Sequence, residues 1–413
     1  MGGHINSCPD GHFDQIAYNS CRHRCCPVCN CLPRARWLDG WKHRLLPCPH
    51  FHTIFTTPHE LLPLWRHNKA VFADTLFAAA AETLRELLAD EKYLGGKVGT
   101  LAALHTWSQT LAGHVHLHVL VTAGGLDGNG KWQHAKKSCL LPRKVLMIKF
   151  RGKFRAMLLE KLTKGELKVP PSTTPAKLRS LLNLLGRTVW NVKILERYDY
   201  GDGVATYLAN YLKGGPIGNH RILCERDGRV YFRYRMRNSD RTVPNRQGVT
   251  SLTVDEFLGR LLEHVPPRRF QSVRGYGLYS GNQHSHLAEA HAALGSAVPE
   301  AEPPLSWQEF CEAAGLPDAG RCPKWGKPLV SHDEFERGRS PSRRSDSREC
   351  SMMRNLAANR AMQRQRCRSR ASDPRESHLS RAATGRAGEK SSRFRSEEGG
   401  EALSSPLESS TNP

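Results

Sequence analysis

The sequence predicts an α+β fold, with a small metal-bound unit at the front and a basic, unstructured tail behind. Three observations carry this. Residues 49–57, 99–107 and 113–121 read as strands, the last with strict period-two alternation, and residues 68–90 carry an apolar stripe at helical spacing. Seven of the thirteen cysteines fall within the first 48 residues. The last 80 residues are rich in Ser, Arg and Glu and nearly free of aromatics, which predicts disorder.

The chain has 413 residues, room for two or three domains with a proper core. Its formal charge is +22, which favours a polyanionic partner, nucleic acid before membrane. Part of that excess belongs to the tail, yet Arg22, Arg24, Arg34, Arg36, Lys42 and Arg44 also crowd the N-terminal region. No apolar run approaches a membrane span, and no secretory signal precedes the first cysteine. Clustered cysteines then point to metal binding in a reducing, cytoplasmic setting, with the nucleoid as the expected location.

Residues 1–47 form the first unit. Cys26-Pro27-Val28-Cys29 is a two-residue-spaced knuckle, with Cys21 and Cys8 upstream. Four thiolates suit tetrahedral Zn2+, so Cys8, Cys21, Cys26 and Cys29 are the expected ligands. His12 is first reserve, and His23, Cys25 and Cys31 compete for the same role.

The strand at 49–57 ends at Pro58. In the following helix, Ala70, Phe72, Leu76, Ala80, Leu84 and Leu87 face a core. A strand over Gly99 to Trp107 leads through Gly113 into the third. There His114, His116 and His118 alternate with Val115, Leu117 and Val119, so the imidazoles share one face. Imidazoles two apart on one face can converge on a divalent metal. Residues 132–152 read as loop and strand, and 153–187 as helix interrupted at 169–175.

Asp202 and the Gly214-Gly215-Pro216 stop bracket a short helix with Tyr207 and Tyr211 four apart on one face. A tyrosine hydroxyl, with a pKa of about 10, is a poor nucleophile at neutral pH. A metal that polarises a phosphodiester answers that weakness. The strand Val230 to Arg235 alternates aromatic and basic residues, with Arg233 and Arg235 placed to reach phosphates. A helix over Thr253 to His264 precedes the basic turn of Arg268 and Arg269, a further phosphate-contacting candidate. Near the end, Cys322-Pro323-Lys324-Trp325 reads as a degenerate knuckle, with Trp325 where a second cysteine would be wanted.

His116-Leu117-His118 followed by Tyr207 and Tyr211 resembles the signature of HUH single-strand endonucleases. Further stretches resemble the rolling-circle transposases typified by insertion sequence ninety-one. They are Tyr18 to Cys29, Phe51 to Leu61, His105 to Gly125, Tyr207 to Ile217 and Val230 to Arg235, in the family's order. The resemblance spans roughly residues 4 to 285. It implies a central antiparallel sheet with the metal histidines on an inner strand and the tyrosine helix lying across it. It implies attack by a tyrosine on single-stranded or hairpin DNA at the element's end, giving a 5′-phosphotyrosine and a free 3′ hydroxyl. It also implies Mg2+ or Mn2+ on His116 and His118. Two imidazoles underfill a six-coordinate ion. Gln109, on the preceding strand and matching the family's His-x-Trp-x-Gln block, is the expected third ligand, with Asn210 as rival and His114 in support. Family proteins carry further sequence before the equivalent of Gly2-Gly3-His4, so a truncated start is expected.

The expected domains are a zinc-binding domain at 1–47, an HUH transposase domain at 48–285, a degenerate linker at 286–333 and a disordered tail at 334–413. The alternatives are a rolling-circle replication initiator, a relaxase, or a non-catalytic zinc-dependent DNA-binding protein. The last explains the cysteines and the charge but not His116, His118, Tyr207 and Tyr211 together. A metallo-hydrolase would want Asp and His soon after the His-x-His, where Val119-Leu120-Val121 follows.

Overall fold

A computed structural model describes residues 2–21, 23, 25–26, 29–42, 44–135, 140–199, 215–236, 247–300, 303–313, 315 and 320–336. Its strands are β1 (Gly3–Ser7), β2 (Asp14–Tyr18), β3 (His50–Thr56), β4 (Gly99–Trp107), β5 (Gly113–Thr122), β6 (Gly124–Leu126), β7 (Trp132–His134), β8 (Val192–Tyr198), β9 (Ile222–Arg226), β10 (Arg229–Arg235), β11 (Gln247–Thr253), β12 (Val273–Gly277) and β13 (Val330–Phe335). Its helices are α1 (Cys31–Lys42), α2 (Leu62–His67), α3 (Lys69–Ala89), α4 (Arg143–Thr163), α5 (Pro175–Leu185), α6 (Val254–Glu263), α7 (His284–Ala293) and α8 (Trp307–Ala313). The fold is α+β, as the sequence predicts.

The central sheet runs β12-β4-β5-β3-β8, antiparallel throughout. Its register decides which side chains meet. Phe51, Thr53 and Phe55 of β3 lie opposite Val121, Val119 and Leu117 of β5 on one face. There they join Ala102 and Leu104 of β4 and the buried sides of α2, α3, α4 and α5 in the main core. Phe72, Leu76, Ala80, Leu84 and Leu87 of α3 are buried as expected, whereas Ala70, at the start of the stripe, is exposed. Each buried Leu or Phe here contributes roughly 1.5–3 kcal/mol of transfer free energy.

The opposite face divides in two. At one end Leu101, Ala103 and Leu120 pack with Leu45, Leu46, Tyr279 and Leu287, and with Trp37 and Trp41 of α1. His50 belongs to this end. Its ring stacks on Tyr279 with centroids 5.9 Å apart. His50 Nδ1–H donates to the Cys48 carbonyl (2.9 Å), and Nε2 accepts from the Tyr279 hydroxyl (2.6 Å). That hydroxyl in turn accepts from the Leu46 amide (3.1 Å). The other end of the face carries imidazoles.

A second sheet, β9-β10-β11, holds a smaller core of Val230, Phe232, Leu252 and Phe257. Its β9–β10 turn is Asp227-Gly228, with φ of 52° and 68°, the left-handed pair that a two-residue hairpin favours. Thr253 caps α6 by accepting from the Glu256 amide (3.2 Å). Leu111, in the β4–β5 turn at φ 62°, is fully buried in this core and fastens the two sheets together.

The structure differs from sequence expectation in three places. Residues expected as loop and strand become α4 from Arg143, because Leu146, Met147, Phe150 and Phe154 follow helical spacing into the main core. The edge strands β8 and β12, and the strands β1, β2, β9, β11 and β13, were not anticipated. The expected linker at 286–333 and tail from 334 do not part where predicted. β13 pairs with β1 from Ser7↔Val330 to Gly3↔Phe335, and Arg36 Nε donates to the Leu305 carbonyl (2.6 Å). Residues 337–413 lie outside the described residues.

Gly277 has φ 59°, and a Cβ there would overlap the Val98 carbonyl oxygen. Gly228 also has positive φ, but open space surrounds it. Gly277→Ala is therefore expected to lower unfolding free energy by more than the roughly 1–3 kcal/mol of left-handed strain, and Gly228→Ala by about that strain alone. Urea titration of the two variants tests this, and equal losses would contradict it.

Candidate functional site

The site grows out of the β4–β5 and β3–β5 registers. His105 pairs directly with His116, Ala103 with His118, and Ile54 with His118. Side chains of directly paired residues stand on the same face, so His105, His116 and His118 converge. Their candidate ligand nitrogens all lie within 4.8 Å of one another. His116 and His118 are buried, at 8% and 6% exposure.

Hydrogen bonds aim these rings. His116 Nδ1–H donates to the His114 carbonyl on its own strand (2.9 Å), leaving Nε2 as an acceptor. His118 Nδ1 lies 2.8 Å from His52 Nε2. The Nε2 atoms of His116 and His118 face each other at 3.1 Å. With His118 Nδ1–H bonded to His52, both Nε2 lone pairs point into the same space. That is the arrangement of metal-binding histidines whose other nitrogen is held by a second group. The donor set therefore fits a divalent cation.

Burial pushes the His116 ring down to about 3, with repulsion from His105 and His114 adding to it. His118 is depressed further, by burial first and then by His105. His52 falls to about 4 for the same two reasons. Neutral imidazoles are the form that binds a metal.

Gln109 does not join this cluster. It stands exposed in the β4–β5 turn, beyond the end of β4, where the strand's register no longer directs it to the histidine face. Its side-chain oxygen accepts from the Arg235 amide (3.4 Å), and its carbonyl accepts from Arg221. His105, rather than Gln109, stands beside His116 and His118. His105 and His52 had no assigned role, although both lie in stretches that read as strands, on β4 and β3, the neighbours of β5. His114 is half-buried beside His116, with centroids 4.7 Å apart.

Tyr207, Tyr211 and Asn210 lie outside the described residues. The residues flanking that stretch are placed. Tyr198, at the end of β8, has its ring 6.3 Å from His52. Gly215 abuts the zinc-ligand region, where a Cβ would stand 2.7 Å from the Cys25 carbonyl oxygen. Arg233 and Arg235 are exposed on β10, beside the β4–β5 turn, and Arg268 and Arg269 are exposed in the turn after α6.

The expected four-cysteine zinc set separates in space. Cys21, Cys26 and Cys29 form one cluster with sulfurs within 4.8 Å of one another. The Cys29 amide donates to Cys26 Sγ (3.4 Å) and the His23 amide to Cys21 Sγ (3.5 Å), as knuckle amides do toward thiolates. The Cys21 thiol is pushed up to about 11, by loss of solvent and then by the neighbouring Cys29 and Cys26. A cation would relieve that crowding. Cys8 is grouped instead with His12 and Cys322, because the β1–β2 turn faces the turn preceding β13 rather than the knuckle.

Three of the buried rings give stability a pH signature. His50, His52 and His116 sit at about 4, 4 and 3 in the fold, below their ordinary 6.5, chiefly because of burial. The unfolded chain binds more protons in that window, so the contribution is complete above pH 6.5 and is lost as pH falls toward 4. Urea midpoints are expected to fall between pH 7 and pH 5, and His50→Gln to make the fall shallower. A midpoint that does not change with pH would show that these rings are solvated in the fold.

Two family models match the chain. One described as a putative transposase covers residues 99–286, and one described as a transposase zinc-binding domain covers residues 1–57. A putative transposase of Sinorhizobium fredii, y4qJ, is 34% identical over 333 residues, 78% of this chain and 82% of the relative. The transposase for insertion sequence element IS801 of Pseudomonas savastanoi pv. phaseolicola is 30% identical over 331 residues, 79% of this chain and 77% of the relative. The first match takes in the histidine strands and the second takes in Cys21, Cys26 and Cys29. The chain belongs to the transposase family typified by insertion sequence ninety-one, with an N-terminal zinc-binding domain.

Proposed function

We propose that this transposase cuts and rejoins single-stranded DNA through a covalent tyrosine–DNA intermediate, in rolling-circle transposition. The observation that carries the reading is the convergence of His105, His116 and His118 on one face of an antiparallel sheet. β8 leads from beside His52 into the stretch that holds Tyr207 and Tyr211. The same reading takes the DNA substrate as an unpaired or hairpin element end, with Arg233, Arg235, Arg268 and Arg269 contacting phosphates.

In the proposed reaction the Tyr207 oxygen attacks a backbone phosphorus and loses its proton. The bond to the 3′ oxygen breaks, and that oxygen leaves as a protonated 3′ hydroxyl. The 5′ phosphate stays on the tyrosine. Tyr211 accepts a second strand before the first is released. His105, His116 and His118 would hold Mn2+ or Mg2+, with all-nitrogen donors favouring Mn2+. The ion supplies charge neutralisation at the phosphate. His52 positions His118 through the 2.8 Å contact to its Nδ1. Zn2+ belongs to the N-terminal thiol cluster as a structural ion.

Incubation with labelled single-stranded element ends tests this. The wild type is expected to form a protein–DNA adduct, and the combined Tyr207→Phe and Tyr211→Phe protein to form none. Replacing His116 and His118 together by Ala is expected to abolish cleavage while leaving DNA binding. An adduct formed by the double tyrosine variant would place the nucleophile elsewhere.

The ligand set has its own test. His105→Ala is expected to raise the Mn2+ concentration needed for cleavage, and Gln109→Ala to leave it unchanged. His52→Ala is expected to lower cleavage about 10–100-fold, as loss of a group supporting a ligand does. The reverse pattern between His105 and Gln109 would restore Gln109 as the third ligand.

A further inference from the structure

Cys8 and Cys322 stand 314 positions apart in sequence and meet in space. Cys8 follows β1, and Cys322 lies in the hairpin that precedes β13, the strand paired with β1. The two turns are built alike, differing by one residue in where the glycine closes the bend. The Cys8 amide donates to the Phe13 carbonyl (2.8 Å) and the Gly11 amide to the Cys8 carbonyl (2.9 Å), with Gly11 at φ 71°. The Cys322 amide donates to the Lys327 carbonyl (2.8 Å) and the Gly326 amide to the Cys322 carbonyl (2.8 Å), with Gly326 at φ 66°. In each, a cysteine opens a turn whose amide bonds to the carbonyl five residues on, and a left-handed glycine closes the bend.

The turns present their donors to one point. The ligand atoms of Cys8, His12 and Cys322 lie within 4.8 Å of one another. Both thiols are nearly enclosed, at 3% and 1% exposure, while His12 is exposed. Cys8 Sγ lies 3.6 Å from His12 Nδ1. The His12 ring stacks on Trp325 with centroids 5.4 Å apart, and Lys327 bridges to Asp10 at 2.8 Å. Asp10 and Lys327 are substantially exposed, so water screens that pair and it does little to hold the two turns together. Two buried thiols and an imidazole at this separation are a soft donor set with few other uses.

We infer that Cys8, His12 and Cys322 bind a second zinc ion, which staples β13 and the hairpin before it to the N-terminal β1–β2 hairpin. The site is separate from Cys21, Cys26 and Cys29, and Cys322 lies outside residues 1–57. Binding displaces the two thiol protons to solvent. Gly11 and Trp325, three residues after each cysteine, bring no donor, so the fourth position is left to water or an added ligand. The inference is independent of the tyrosine chemistry, because its readout is metal content.

The experiment uses the full chain, purified under reducing conditions. Cys322→Ser is expected to hold one zinc equivalent fewer than its parent, and Cys26→Ser likewise. The two substitutions together are expected to lose two equivalents. Trp325→Cys adds the missing donor, so zinc release to a chelator is expected to slow by at least tenfold for one equivalent only. Unchanged zinc in Cys322→Ser would overturn the second site. If Cys322→Ser loses all its zinc through misfolding, Trp325→Cys decides: slowed release of one equivalent supports the site, and unchanged release overturns it.

Discussion

The structure depends on the pairing of β5 with its two neighbours. A strand in the middle of a sheet has no freedom of register once one face is buried, because a slip of one residue would send every side chain to the other side. Val115, Leu117, Val119 and Val121 commit one face of β5 to the core under α3 and α4. His116 and His118 are then obliged to the other face, and the pairing with β4 adds His105. The apolar half of the strand thus fixes the position of the polar half. The cost of enclosing imidazoles is offset by bonds that hold them neutral, such as that from His116 to the His114 carbonyl.

Much of this was legible in the sequence. Strand readings at residues 49–57 and 99–107 marked β3 and β4, strict alternation marked β5, and the stripe from Phe72 to Leu87 marked α3. His116 and His118 were visible because their spacing matches the period of a strand. His105 and His52 were less visible, because their meaning depends on which residues lie opposite them, and that is set by the length of the β4–β5 turn and the strand order. Gln109 misled for a related reason: it is near the histidines in sequence, yet the turn sends it toward β10. Cys322 was discounted for lack of a neighbouring cysteine, when its partners lie at Cys8 and His12. Contacts across hundreds of residues leave no local periodicity to read.

The histidine face also joins the zinc-binding region to the sheet. Trp37 and Trp41 of α1 cover the apolar end of the face that carries the imidazoles at its other end. Tyr279 closes the arrangement, receiving one hydrogen bond from the Leu46 amide and giving one to His50. Gly215, beyond β8, lies against the Cys25 carbonyl of the zinc-binding region.

The pairing of Gly3 with Phe335 sets an order of maturation during synthesis. A nascent chain emerges N-terminal end first, and domains fold as they appear. The central sheet has all five strands once residue 277 has left the ribosome. β1 must wait for the hairpin before β13, and until then it presents an open edge of unpaired amides and carbonyls. The front of this protein is thus finished after its middle, and a chain halted between residues 277 and 330 carries a completed central sheet behind an unclosed N-terminal one.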